Sequence, residues 1–265
     1  MQLIDITAIT GTLIVKTGLR IGAGDTEMRI GGVDNPILKH PHTLEPYIPG
    51  SSLKGKVRSL LEMKSGLMVL TEGEPLSINI LVDLRNPTDP SIVKEEKRKR
   101  RLQLIHQVSE PKREALINEG KKILKLFGAG GAEAEQIAAQ EIGPTRVSFA
   151  DCPLDTKWRD KALREGLAFT EVKSENAINR IQGVAQHPRF TERVPAGAEF
   201  AFTVTLKILD QDGRDLEDLL LLGLKLLTLD ALGGSGSRGY GRVELKLNEP
   251  YQSRLDSIQP FLQEA

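Results

Sequence analysis

The sequence predicts an α+β fold, a four-stranded antiparallel sheet with two helices on one face. Three observations carry this. Segments near residues 3–15, 145–150, 199–209 and 240–247 alternate or cluster their apolar residues as strands do. Segments near 51–65 and 215–232 repeat them at helical spacing. Without the intervening insertions, the order is strand, helix, strand, strand, helix, strand.

Leu3 to Val15 reads as the first strand, with Ile4, Ile6 and Ala8 alternating before an apolar end, Leu13-Ile14-Val15. A glycine-rich stretch, Gly18 to Gly32, follows. Tyr47-Ile-Pro-Gly-Ser-Ser opens a helix that Ser51 or Ser52 can cap. Its buried stripe is Leu53, Val57, Leu60 and Leu61, and it stops near Gly66. Residues 72–110 hold Pro75, Pro87, Pro90 and the run Lys94-Glu-Glu-Lys-Arg-Lys-Arg-Arg101. They read as a surface insertion, partly disordered. The basic run reads first as a solvated face and second as an RNA-contacting arm.

Glu114 to Phe127 is expected as a helix, Ala129 to Glu141 as loop, and Thr145 to Ala150 as a strand. A second insertion covers Lys157 to Val194. In the strand Glu199 to Leu209, Phe200, Phe202, Val204 and Leu206 point one way. Asp215 to Leu232 is a strongly apolar helix. Tyr240 to Leu247 closes the sheet. The order βαββαβ is that of the ferredoxin-like or RRM-like sandwich. We expect one domain over 1–265, with a lid or helical insertion at about 66–142 and a thumb at about 155–197.

Bulk properties bound the function. Lys plus Arg equals Asp plus Glu, at 36 each, which argues against a free-standing nucleic-acid binder. A subunit with one basic face and protein neighbours elsewhere stays open. Aromatics are 4%, too few for rows of stacking rings. The one cysteine, Cys152, excludes a disulfide framework and a Cys-rich zinc site, and fits a reducing cytoplasm. Nothing at the N-terminus resembles a signal peptide. The longest apolar stretch, from Leu219, is interrupted at Lys225, short of the roughly 20 residues that span a bilayer. No membrane association is expected.

Four segments could carry chemistry. Gly233-Gly-Ser-Gly-Ser-Arg-Gly-Tyr-Gly-Arg242 contains a formal G-x-G-x-x-G, but a helix precedes it and a strand follows, opposite to a dinucleotide fingerprint. It reads as a tight turn or as an anion nest formed by Gly234, Ser235 and Gly236 with Arg238 and Arg242 alongside. Five glycines exceed what a turn needs, which favours phosphate contact. In the second segment, Ile48 to Arg58, Ser51 and Ser52 stand at a helix N-terminus that attracts phosphate, and Lys54 and Arg58 share one face. Gly55 there lowers helix stability by roughly 1 kcal/mol relative to Ala, which suggests a close approach. In the third, Ile30-Gly-Gly-Val-Asp34-Asn-Pro-Ile, Asp34 is an Asx-turn or a carboxylate that holds a metal or helps deprotonate a hydroxyl. The fourth, Thr170 to Gly197, is too polar for core and spreads Arg180, Arg189 and Arg193 along a plausible protruding hairpin. His40 and His42 form either an acid–base pair or a polar loop, with no third ligand at metal spacing.

Together these segments resemble the RAMP superfamily, and more closely the backbone subunit of type III-A (Csm-type) CRISPR effector complexes. The resemblance lies in Gly18-Leu-Arg-Ile-Gly-Ala-Gly, Gly32-Val-Asp-Asn-Pro-Ile, Ile48-Pro-Gly-Ser-Ser-Leu-Lys-Gly-Lys-Val-Arg, Glu171-Val-Lys-Ser-Glu-Asn-Ala-Ile-Asn-Arg, Glu192-Arg-Val-Pro-Ala-Gly and Leu232-Gly-Gly-Ser-Gly-Ser-Arg-Gly-Tyr-Gly-Arg. It implies the sandwich fold and head-to-tail stacking of further copies along a guide crRNA, beside other type III effector subunits. It implies thumbs that enter the guide–target duplex and endonucleolytic cutting of target RNA at regular intervals. The resemblance places the catalytic and metal-binding Asp on Asp34, with Mg²⁺ or Mn²⁺ as cofactor. It places the guide-binding basic helix on Lys54, Lys56 and Arg58. The sequence departs from many members at Arg20, where they carry His, and at His187, where they carry Asn; the 72–110 insertion is also longer. These departures point toward a related subtype such as III-D. Two other functions remain on the sequence alone, a non-catalytic guide scaffold and a guide-processing endoribonuclease using a His general acid.

Overall fold

The structure, a computed structural model, describes residues 1–24, 35–129 and 141–261. Its main sheet contains β1 (Leu3–Val15), β2 (Val147–Phe149), β5 (Glu199–Leu209) and β6 (Val243–Leu247) in the order β2-β5-β1-β6, every neighbouring pair antiparallel. β3 (Glu171–Ile178) and β4 (Ala185–Arg193) form a separate hairpin. With α1 (Gly50–Ser65) after β1 and α7 (Asp215–Leu229) after β5, this is the predicted βαββαβ sandwich.

The core lies between the sheet and these two helices. Leu13 stands between Phe200 and Leu245, and Ile9 opposite Val204, all fully or almost fully buried. Leu53, Val57 and Leu61 of α1 and Leu220, Leu224 and Leu227 of α7 close over them. The helices approach closely because α7 has a glycine at the crossing. A Cβ on Gly223 would lie 2.6 Å from Val57 Cγ1.

Ile4 and Ile6, the residues that suggested alternation in β1, are 60% and 54% exposed. The buried set is Ile9, Leu13 and Val15, on the opposite parity. β6 pairs only with Gly11–Val15, so the first half of β1 has one neighbour and its apolar side chains face outward.

Residues 72–110 do not form the partly disordered surface insertion expected from their charge. They follow α2 (Met68–Thr71) directly, contain α3 (Ile78–Arg85) and α4 (Glu96–His106), and lead into α5 (Glu110–Phe127). Leu76, Ile78, Ile80, Leu81, Leu84, Leu102 and Ile105 are buried there. The basic run is only partly a solvated face. Asp83, 2% exposed, accepts from Arg98 at 2.9 and 3.2 Å and from Arg101 at 2.7 and 3.0 Å. A buried carboxylate requires such partners, and two arginines at positions 98 and 101 present them from one helix face.

The second expected insertion contains α6 (Thr156–Glu165) and the hairpin. Asp155 caps α6, its Oδ1 accepting from the amides of Lys157 and Trp158. α8 (Tyr251–Ser257) follows the last strand. Among the described residues, no helix is long and apolar enough to cross a membrane.

Candidate nucleic-acid interface

Three segments meet at the root of the hairpin. Leu19 bridges Val194, and Gly22 bridges Ile37. Asn35 runs parallel to Thr191, so residues 35–39 form a short strip beside the end of β4. Arg20 joins the strip to the glycine loop. Its Nη2 donates to Asn35 Oδ1 at 3.2 Å, and its carbonyl accepts from the Gly234 amide at 2.8 Å. Its Nε is buried with no hydrogen-bond partner among the described residues. Asp34 itself lies outside the described residues.

Glu192, part of the segment Glu192-Arg-Val-Pro-Ala-Gly, holds the strip. Its Oε2 accepts from the Ile37 amide at 3.1 Å, its Oε1 from Lys39 Nζ at 2.6 Å, and its own amide donates to the Asn35 carbonyl at 3.1 Å. Burial pushes its pKa up. The bonds from Lys39, the Ile37 amide and Thr170 outweigh that, so the net shift is downward. A glutamate directly after a strand-forming Thr gives no sequence signal for this.

The glycine loop is shaped mainly by backbone crowding. Gly233 and Gly241 have φ of 76° and 74°, and a Cβ would stand 2.2 Å from the Arg20 carbonyl oxygen or 2.0 Å from that of Leu232. Gly239 also has positive φ, so three of the five glycines serve the turn. The number of glycines is thus largely accounted for by backbone geometry and does not by itself indicate phosphate contact. The Gly234 amide is taken by the Arg20 carbonyl, so what remains for an anion is the Ser235 and Gly236 amides with the neighbouring arginines. Arg238 is already engaged, Nη1 with Glu175 Oε2 at 2.8 Å and Nη2 with Ser235 Oγ at 2.6 Å. Arg242 is exposed, and its side chain has no partner among the described residues.

Tyr240 latches the hairpin to this loop. Its hydroxyl donates to Glu175 Oε1 at 2.8 Å, and its ring lies near Lys173 Nζ (4.5 Å) and Arg193 Cζ (4.9 Å). The Tyr240 bond leads the forces that hold the Glu175 pKa below its usual value. Arg193 also pairs with Glu171 at 2.6 Å. Beyond this base the hairpin is exposed on both faces. Arg180 and Arg189 are exposed without side-chain partners among the described residues. Ile181 at the turn is 97% exposed. His187 sits where the strand register shifts, with φ 52°. His is among the few side chains that tolerate this conformation.

At the start of α1 the N-cap is Pro49, not Ser51 or Ser52, and no side chain of the helix caps it. Asp151 substitutes: its Oδ1 accepts from the Gly50 amide at 2.8 Å. Ser51 is exposed and Ser52 half-buried. Arg58 points into the fold rather than to a ligand. Its guanidinium donates to Glu62 Oε1 at 2.7 Å and to the carbonyls of Gly128 and Leu76. Lys56 pairs with Asp230 at 2.6 Å. Lys54 has no anionic partner among the described residues; burial first, then Arg58, lowers its pKa. It lines a groove of about 390 Å³ with Ser51, Gly55, Ser59, Gly73 and Glu74. Among the described residues, nothing lies within 4 Å of where a Gly55 Cβ would be outside the helix's own backbone, so no other segment of them makes the close approach expected there.

His40 caps a turn, its Nδ1 accepting from the amides of His42 and Thr43 at 3.3 and 3.4 Å, which favours the polar-loop reading of the pair. Among the described residues, no group of three or more His, Cys, Asp or Glu could hold a metal ion.

The family model for the RAMP superfamily matches residues 12–244. The chain belongs to the RAMP superfamily. Among RAMP proteins, it is 36% identical over 250 residues to the "CRISPR system Cms endoribonuclease Csm3" of Mycobacterium tuberculosis, covering 89% of this chain and 84% of that one. To the protein of the same description from Methanothermobacter thermautotrophicus it is 34% identical over 254 residues, covering 90% and 82%. A RAMP-type fold likeness extends to a chain of the crystal structure of the Csm3–Csm4 subcomplex in the type III-A CRISPR–Cas interference complex. That match has a TM-score of 0.50 and 22% identity, covering 98% of this chain and 99% of that one.

Proposed function

We propose that the chain is a guide-RNA-binding backbone subunit of a type III-A CRISPR effector complex, and that it cuts guide-paired target RNA. The observation that carries this reading is the convergence at the hairpin root. The strip that follows Asp34, the glycine loop and a protruding hairpin meet within one network, beside arginines that have no side-chain partner among the described residues. Identity above 30% to proteins described as Csm3 endoribonucleases supports the activity.

In the proposed reaction the target's 2′-oxygen attacks the adjacent phosphorus. A bond from O2′ to phosphorus forms and the bond to the 5′-oxygen breaks, leaving a 2′,3′-cyclic phosphate and a 5′-hydroxyl. In-line attack requires a splayed backbone, so positioning is the protein's main contribution. Arg180 and Arg189 hold the strands along the hairpin while its tip parts them. Lys54, Arg242 and the Ser235 and Gly236 amides take guide phosphates. Asp34 orients or deprotonates the hydroxyl. A divalent ion, Mg²⁺ or Mn²⁺, when bound, neutralises charge on the scissile phosphate. The described residues alone offer no cluster to hold it, and Asp34 is the donor the chain contributes in this reading. Further copies stacked head to tail, with other effector subunits, complete the complex, and the single buried thiol suits a cytoplasmic setting.

The test is to assemble the co-expressed complex, sequence its bound RNA, and map cuts on a labelled complementary target. Regularly spaced cuts with cyclic-phosphate ends, lost on Asp34→Ala, are expected. Intact target in a guide-loaded complex would leave only the scaffold role. Cutting of precursor hairpins by the lone chain would instead indicate guide processing.

A further inference from the structure

We infer that Glu192 is a positioning residue for RNA cutting, because it fixes the strip 35–39 to the root of the β3–β4 hairpin. The inference rests on the reading of Asp34 given above. One residue makes three of the connections. Its carboxylate takes the Ile37 amide and the Lys39 ammonium, and its amide donates to Asn35. The Glu192 side chain is 9% exposed and that of Lys39 29%, so water screens this pair less than a surface ion pair. Asn35, directly after Asp34 in the chain, is thereby held on both sides, by Glu192 and Thr191 of β4 and by Arg20.

The consequence is a fixed spacing between the hairpin root and the strip that directly follows Asp34 in the chain. The hairpin parts the RNA, and the chain entering the strip supplies the carboxylate. If they moved independently, the splayed phosphate and the carboxylate would lose register. A displacement of about 1 Å can cost about 100-fold in rate. Glu192→Gln keeps the shape and one acceptor for the Ile37 amide but cannot accept from Lys39 through its NH₂ end.

The experiment uses the assembled, guide-loaded complex, with Glu192→Gln, Lys39→Met, the double variant and Asp34→Ala side by side. At saturating target, Glu192→Gln should slow single-turnover cutting by about 10- to 100-fold. Half-saturating target concentration should change by no more than about twofold, as removal of positioning rather than uniform binding requires. Lys39→Met should also slow cutting, and the double variant should be no slower than the worse single one, since both act through one contact. A merely structural role would instead lower guide content and target affinity together. Should Glu192→Gln fail to assemble, Lys39→Met decides, because it leaves the Ile37 bond in place. Wild-type cutting by either variant at matched guide content overturns the inference. If Asp34→Ala still cuts, the parent reading falls and this one with it. If Asp34→Ala is inactive while Glu192→Gln is not slowed, only this one falls.

Discussion

Asp34→Ala should leave guide and target binding nearly intact while abolishing cutting, as measured on one labelled target with matched complexes. The three cations of the α1 motif should separate in the same way. Arg58 and Glu62 have side chains 15% and 6% exposed, so Arg58→Ala strands a buried carboxylate. Breaking such a pair costs about 3–5 kcal/mol. Thermal denaturation should show it, and any loss of RNA binding should follow from that. Lys54→Ala should leave stability unchanged and weaken guide binding regardless of sequence, flattening the salt dependence by about 0.7 per lost contact. Glu192 gives a pH signature of definite sign. A carboxylate whose folded pKa is depressed stabilises the fold fully above its unfolded value, about 4.3. That contribution is lost as pH falls through the lower folded value. Wild type should therefore lose more stability than Glu192→Gln between neutral and acid pH, in denaturant titrations.

The hairpin is the element whose removal should separate function from fold. Excising Ile178–Ala185 and closing between Ala177 and Gln186, paired across the hairpin, keeps the Glu175 latch and removes no residue of the core. Thermal stability should hold, while cuts on a mapped target should slow or lose their sharp positions. Sharp cuts at full rate would show that the hairpin does not set the geometry. The helical layer should behave in the opposite way. Asp83→Ala leaves Arg101, 16% exposed, without its anion and should destabilise by about 3 kcal/mol or more. Local pattern revealed the sandwich because its strands and helices bury one face each, as Phe200, Phe202, Val204 and Leu206 do. It misread α3 and α4 because charge density masks burial when, as at Asp83, the charges neutralise one another inside the fold. Alternation located β1 as a strand, but it does not say which half of the strand a neighbour will cover, and so which parity is buried. At the site, motifs located the hairpin and glycine loop. The partner of each cation, which decides whether it can bind phosphate, depends on contacts far apart in sequence, such as Lys56 with Asp230.

Charge is balanced over the whole molecule, 36 cationic against 36 anionic residues, and much of the balance is made in local pairs. The arginines left without side-chain partners among the described residues at the interface, Arg180, Arg189 and Arg242, are too few to hold a long RNA alone. The lone chain should bind guide weakly at physiological salt, and assembly with guide and sister subunits should be needed for retention, as size exclusion with and without RNA would show. The one cysteine has a further consequence. Cys152 is fully buried, its backbone bridged to Ile48, and burial pushes its thiol up to about 11. A thiol so placed is chemically silent at neutral pH, because the thiolate is the reactive form. Ile181→Cys, at the fully solvated tip, would therefore be the sole site for a maleimide dye, with no background cysteine to remove. A fluorophore there would report, one copy at a time, when each tip meets a duplex as target strand zips along the guide.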